Sequence, residues 1–232
     1  MRQIVLDTET TGLEATKGHR IIEIAAIEVV NRKVTDNYFH VYINPQREVD
    51  EGALAVHGLS DEFLADKPKF QEIYQSFIDF IKEGELVIHN APFDVGFLNM
   101  ELEKTGSGLL ADHCSGVLDT LAMARQLHPG KRNSLDALCE RYAVDRSART
   151  LHGALIDTEL LAQVYLAMTR GQDSLLDTVL EDESNVSSPL FKSSQGRLTV
   201  KRASESEVAR HDEYLSRLSK EDVEVVWRAH KE

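Results

Sequence analysis

The sequence predicts an α/β domain in which a mixed sheet of about five strands is flanked by helices. Three strand-like segments follow one another at the start of the chain, which favours an antiparallel meander. Further along, short apolar segments are each followed by a segment whose apolar residues recur at the helical period. A sheet covered by helices is the architecture that accommodates both kinds of segment in one domain.

The first strand begins near Ile4, where a run of β-branched and other apolar residues indicates a buried segment. Side chains alternate along a strand, so Asp7 and Glu9 lie on one face and Thr8 on the other. Two neighbouring carboxylates repel each other and are costly to desolvate, and a hard divalent cation would stabilise them. The pair indicates a metal site, although acids at a solvated strand end give the same pattern.

Residues 20–30 and 33–43 predict the second and third strands. The loop that follows carries His57, which we hold as a candidate substrate contact, although most histidines in loops are surface residues without a role. Residues 70–81 have apolar side chains at helical spacing and predict the first long helix.

A short strand at residues 86–88 leads into a helix that has Pro92 in its first turn and ends near residue 103. Asn90 is placed to cap this helix, and Asp94 lies in its first turn. An acid in that turn stabilises the helix dipole whether or not it has another role. The location of Asp94 at a strand–helix junction makes it a candidate ligand all the same.

Residues 117–119 predict the last strand, with a helix after it to about residue 127 and a short helix from Ser134 to about residue 142. His152 and Asp157 are five residues apart, so on one helix they would be about 140° out of line. The i, i+4 pair of a zinc helix is therefore excluded. The spacing fits His152 in a loop, with Asp157 on the long helix that follows. The core face of that helix is formed by Leu160, Leu161, Val164 and Met168.

The composition changes beyond Gly171. Residues 180–196 are acidic and serine-rich, which predicts a linker. Ser204 and Glu207 have the spacing of a capping box and predict a helix with an apolar stripe. The stripe (Val208, Leu215 and Leu218) is too small to form a core of its own, so we expect the tail to dock on a partner.

The 232-residue chain carries a formal net charge of −13. Proteins that hold nucleic acid through a broad surface are usually basic, so that class is disfavoured, whereas a metal-dependent site is not. No apolar run approaches the roughly 20 residues that span a membrane, and the first strand starts too early for a signal peptide. Cys114 and Cys139 are expected to be reduced core thiols. We expect a cytoplasmic protein with no membrane partner.

Three segments together resemble the sequence motifs of the DEDDh 3′→5′ exonucleases: LDTETTG at 6–12, HNAPFD at 89–94 and HGALID at 152–157. The resemblance covers about residues 1–170 and implies a ribonuclease H-like fold for a catalytic domain at 1–171. It implies two divalent ions, Mg²⁺ or Mn²⁺, and His152 as general base. The metal ligands it implies are Asp7, Glu9, Asp94 and Asp157.

The substrate implied by this resemblance is the 3′ end of a single-stranded or frayed DNA. The residues expected to contact it are Asp7, Glu9, Thr10, Gly12, Leu13, His57, Asn90, Phe97 and Asp157. Because such an end is held by stacking and metal contacts, any base can be accepted. Gly12 would allow the close approach of its backbone to the terminal nucleotide.

The whole chain also resembles the proofreading subunits of bacterial replicative DNA polymerases. That resemblance implies contact with the sliding clamp within residues 172–176, through Gln172, Ser174, Leu175 and Leu176. It further implies a flexible linker at 172–200, a tail at 201–232 that docks on the polymerase catalytic (alpha) subunit, and a small theta-like subunit as an additional partner.

Two alternatives stay open at this point. A DEDDh exonuclease that acts on RNA ends would have the same motifs. A non-catalytic adaptor between polymerase and clamp would need the tail alone, and four acids with a histidine would be a needless cost in it.

Overall fold

The computed structural model describes residues 1–147, 152–170 and 203–218. A five-stranded sheet has the order β3-β2-β1-β4-β5. The strands are β1 (Arg2–Thr10), β2 (Ile21–Val30), β3 (Lys33–Tyr42), β4 (Glu85–Ile88) and β5 (Gly116–Asp119). The helices are α1 (Glu51–His57), α2 (Asp61–Leu64), α3 (Phe70–Ile81), α4 (Ala91–Thr105), α5 (Thr120–Leu127), α6 (Leu135–Arg141), α7 (Ala154–Met168) and α8 (Glu205–Leu218).

The first three strands form an antiparallel meander, and β4 and β5 run parallel to β1. The predicted mixed sheet is thereby confirmed. Leu6 on β1 is paired with Ile88 on β4, so these parallel strands end at the same edge of the sheet. Asp7 follows Leu6 directly, and α4 begins a few residues after Ile88. The register thus brings the end of β1 beside the start of α4.

Alternation along β1 divides the core into two layers. Ile4 and Leu6 point towards α3 and α4 and are fully buried there with residues such as Phe77 and Phe97. Val5 points to the opposite face, where it packs with Val87, Val29 and Leu161 of α7. Burying apolar side chains on both faces stabilises the central strand and makes it a rigid platform for the acids that follow.

Two local expectations are wrong. His57 ends helix α1 and is only 5% exposed, so it does not lie in a surface loop. Gly58 takes the left-handed conformation directly after it and ends the helix. Asn90 occupies the N-cap position of α4 with φ 65°, but its side chain makes no cap hydrogen bond. Its backbone N–H instead donates to the Asp119 carboxylate at 3.1 Å.

Helix α8 belongs to a second unit that spans residues 174–232. The backbone N–H of Ser204 donates to the Glu207 carboxylate at 2.8 Å, as the capping-box spacing predicts. Within the stripe expected on this helix, Leu215 is buried and Val208 is 47% exposed. The predicted linker and the clamp segment at 172–176 lie outside the described residues. No helix in the described part of the chain is long and apolar enough to cross a membrane.

Candidate active site

Five predicted residues meet at the shared edge of β1 and β4. Asp7 and Glu9 lie on β1, and Asp94 lies in the first turn of α4. Asp157 lies in the first turn of α7, which packs across β1 and β2. His152 precedes α7 by two residues, as its spacing predicted.

Glu9, His152 and Asp157 approach one another closely. Each offers a ligand atom, and these atoms lie within 4.8 Å of one another. His152 Nδ1 is 3.3 Å from Asp157 Oδ2. Asp157 is buried, whereas about half of the His152 side chain is exposed, so the imidazole lies at the rim above a buried carboxylate.

Asp94, which is buried, and Asp7, which is half-buried, add two more carboxylates to this group. Burial, followed by the neighbouring charges of Asp94, Glu9 and Asp157, raises the pKa of Asp7 well above its usual range. Burial also raises the pKa of Asp94 to about 7, although the Thr8 hydroxyl donates to its carboxylate at 2.7 Å.

The donor set suits hard divalent cations. Four carboxylates and one imidazole supply oxygen and nitrogen ligands, and the described part of this site offers no thiolate. A cation would turn the mutual repulsion of the acids into attraction, which accounts for a fold that gathers them. The residues present therefore fit divalent metal ions.

A fifth acid, Glu23 on β2, supports the site from behind. It is 2% exposed and lies opposite Glu9 in the β1–β2 register. One of its carboxylate oxygens accepts a hydrogen bond from the Ala154 backbone at 3.2 Å, and the other is 2.7 Å from His40 Nε2. The start of α7 has no cap from Gly153, so Glu23 provides it and fixes the segment that carries His152.

On the Glu9 side of the site lies a pocket of about 420 Å³, which we name the Phe93 pocket. Leu13 is 81% exposed beside it, whereas His57 is buried in its wall with Nε2 unpaired among the described residues. The lining residues are Thr8, Glu9, Thr10, Gly12, Leu13, Asp50, Gly52, Ala53, Val56, His57 and Phe93.

Gly12 has a structural reason of its own. A Cβ at this position would clash with the His19 ring, so the packing of His19 against the backbone requires glycine here. Thr11 Oγ1 lies 3.1 Å from His19 Nδ1, and Thr10 Oγ1 donates to the Gly12 carbonyl at 2.7 Å. The predicted contact residues after β1 therefore form a fixed loop at the pocket.

On the other side of the carboxylates lies a cleft of about 680 Å³, which we name the Arg125 cleft. Asp7, Asp157 and His152 line it together with Asn90, Arg125 and Lys131. The carboxylates are thus divided between the linings of two cavities, with Glu9 in one and Asp7 and Asp157 in the other.

The structure brings the four predicted acids and His152 together, and it adds two residues that the sequence did not single out, Phe93 and Glu23. Phe97, which was expected to contact substrate, is 2% exposed in the core behind Phe93. The two rings are 5.1 Å apart, and Phe93 is the one at the pocket. The sequence could have indicated Phe93 through its position one residue before Asp94, because both residues lie in the first turn of the same helix and therefore at the same end of it.

A buried carboxylate cluster with a rim histidine, set at the edge of this sheet, fits a metal-dependent hydrolytic site. The model of the exonuclease family (RNase_T) matches residues 4–165. The DNA polymerase III epsilon subunit of Pasteurella multocida is 59% identical over 76% of this chain and 71% of its own length. The epsilon subunit of Escherichia coli K12 is 48% identical over 98% of both chains.

Solved structures agree. Exonuclease X in complex with 5′ overhanging duplex DNA superposes with a TM-score of 0.57 at 26% identity, over 72% of this chain and 90% of that one. The nuclease domain of 3′hExo, a DEDDh family member bound to rAMP, has a TM-score of 0.62 at 16% identity, over the same shares, and supports the fold. This chain belongs to the exonuclease family, in its group of DNA polymerase III epsilon subunits.

Without divalent ions, the folded protein should lose stability as pH rises. A raised carboxyl pKa means that the folded state binds protons more tightly than the unfolded chain, so the free energy of unfolding falls between the usual 3.8 and about 7 for Asp94. Urea unfolding in EDTA, repeated across this pH range, measures the free energy of unfolding. The Asp94→Asn variant should lose less stability over this range, because it has no carboxyl group to titrate at position 94. If the free energy of unfolding depended on pH equally in the variant and the unmodified protein, the raised pKa of Asp94 would be contradicted.

Replacing Glu23 by alanine should lower the free energy of unfolding by about 1–3 kcal/mol, because the Ala154 N–H loses its buried acceptor. Hydrolysis should slow as well, since the segment that carries His152 loosens. The matched control is Glu28→Ala, which breaks an ion pair with Arg2 at the far end of the same strand. Equal hydrolysis rates in the two variants would show that Glu23 does not support the site.

Proposed function

We propose that this protein is the proofreading exonuclease of a replicative DNA polymerase. It would remove mispaired 3′-terminal nucleotides of DNA as monophosphates. The observation that carries the proposal is the set of five motif residues at one sheet edge, in a chain of epsilon-subunit ancestry. Neither alternative from the sequence is favoured, because the relatives are polymerase subunits and the four acids and the histidine of the motifs are all present.

Two divalent ions, Mg²⁺ or Mn²⁺, would be held by Asp7, Glu9, Asp94 and Asp157. When bound, such ions supply the positive charge that stabilises the developing charge on the phosphodiester oxygens. Asp94 is oriented for this by the hydroxyl of Thr8, and Asp157 by the start of α7. The protein thus holds its ligands in position before the ions arrive.

His152 would accept the proton of the attacking water. A neutral imidazole nitrogen accepts a proton, so a histidine suits this role. A proton on Nδ1, directed at Asp157 Oδ2 3.3 Å away, leaves Nε2 as the atom that takes the proton. The half-exposed position of the ring gives water access to it.

The terminal nucleoside would occupy the Phe93 pocket. Aromatic rings stack on any base, so Phe93 at the pocket and the exposed Leu13 would hold a base without reading its identity. Selectivity for errors would then come from fraying, because a mispaired end reaches the pocket more readily than a paired one.

Attachment to the replication complex would offset the weak electrostatic attraction of an acidic chain for DNA. We assign the catalytic domain to 1–171, the clamp motif with its linker to 172–200, and the tail that binds the polymerase alpha subunit to 201–232. Helix α8, which begins inside that tail, is consistent with a docking segment. A small theta-like subunit would bind the catalytic domain, and the complex would work in the cytoplasm.

An end-labelled degradation assay with Mg²⁺ tests the proposal. Matched duplex DNA, the same duplex with a 3′ mismatch, single-stranded DNA and a short RNA serve as substrates. Stepwise loss from the 3′ end of DNA, fastest at frayed or single-stranded ends, is the expected result. A strong preference for RNA would contradict the proofreading role.

His152→Ala should reduce the hydrolysis rate by about 100-fold or more at saturating substrate, as expected for the loss of a general base. The fold should be retained, because the ring is half exposed. Single-turnover kinetics measures the chemical step. A rate within a few-fold of the unmodified protein would remove His152 from the mechanism.

Replacing Gln172, Leu175 and Leu176 together by alanine should weaken binding to the sliding clamp and leave hydrolysis of single-stranded DNA unaltered. Surface plasmon resonance on immobilised clamp measures the first, and the degradation assay measures the second. Clamp affinity equal to that of the unmodified chain would leave these residues without the proposed role.

A further inference from the structure

Two cations, Arg125 and Lys131, line the Arg125 cleft beside the acids. Arg125 and Lys131 are exposed and line the same cavity as Asp7 and Asp157. In the described part of the chain neither of them forms an ion pair, whereas Arg20 is bound by a carboxylate. Their positive charge is therefore available to a ligand.

The position of these cations is fixed by the fold. Arg125 lies in the last turn of α5, whose start is capped by Asp119. Lys131 lies in the loop between α5 and α6, where the buried side chain of Asn133 donates to the Lys131 carbonyl at 3.1 Å. Asn133 is itself held by Arg141 through a hydrogen bond of 3.1 Å. A loop braced in this way presents its lysine at a constant place on the cleft wall.

The two cavities give the bound strand a direction. Glu9 lines the Phe93 pocket, and Asp7, Asp157 and His152 line the Arg125 cleft, so the reacting bond lies at their boundary. With the terminal nucleoside in the Phe93 pocket, the strand on the 5′ side of that bond has to leave through the other cavity. That strand carries one negative charge per nucleotide, and the cleft wall facing it carries two cations.

We propose that Arg125 and Lys131 bind backbone phosphates of the DNA strand on the 5′ side of the scissile bond. The contact is independent of sequence, since only phosphates are touched. The inference rests on the proposed exonuclease function and assigns it a second binding region, which would hold the strand in register while the terminal nucleotide is removed.

The test compares substrates of different length. A thymidine dinucleotide contains only the scissile phosphate, whereas a single-stranded oligothymidylate of about ten nucleotides also contains upstream phosphates. For the unmodified chain, kcat/KM should be much higher for the longer substrate. In the Arg125→Gln/Lys131→Gln variant the ratio of the two values should fall by about tenfold. Lys33→Gln/Lys82→Gln, which removes the same charge from exposed residues outside the cleft, should keep the original ratio.

Binding measured without catalysis separates this inference from the proposed function. Fluorescence anisotropy of the labelled oligothymidylate in EDTA should give a plot of log affinity against log salt whose slope falls by about 1.4 in the cleft variant, at about 0.7 per phosphate contact. If the salt slope changed in the cleft variant but the unmodified chain hydrolysed neither substrate, phosphate binding by the cleft would be supported and the exonuclease function refuted. An unchanged slope and length ratio would overturn the cleft assignment. A loss of activity shared equally by both substrates would also overturn it, since that indicates a structural effect.

Discussion

The structure depends on one constraint: several carboxylates lie close together in a partly buried site, where their mutual repulsion and desolvation destabilise the fold. Asp94 and Asp157 are almost fully buried, and the pKa of Asp7 is raised by burial and by the charges of its neighbours. In a metal-free chain these groups repel one another, so the surrounding fold has to hold them against that force. A central strand buried on both faces and two helices packed on opposite sides of the sheet provide the rigidity.

Polar side chains next to the acids complete the arrangement. Thr8 points to the opposite face from Asp7 and meets Asp94 there, which explains why a hydroxyl residue stands between two acids in the first motif. Glu23 caps α7 and so sets the position of His152 without reaching the substrate. The motif residues are thus only part of the active site, because their geometry depends on neighbours from other strands.

The sequence predicts most of this from local patterns. Strand alternation placed Asp7 and Glu9 on one face, and the spacing of His152 from Asp157 excluded a single helical face. Contacts made through the tertiary fold could not be predicted this way. The short helix ending at His57 has little periodicity to detect, and the role of Glu23 depends on a helix that begins 131 residues later. The choice of Phe93 over Phe97 at the pocket depends on how α4 is rotated against the sheet.

A calorimetric titration with Mn²⁺ near neutral pH, repeated in buffers of different protonation enthalpy, tests the central claim most directly. The account predicts about two ions bound per chain. It also predicts a net release of protons, because the ions displace protons from carboxyl groups whose pKa values burial has raised, Asp94 to about 7 among them. Absence of binding, or binding with no proton release, would contradict the view that the fold gathers these acids for divalent cations.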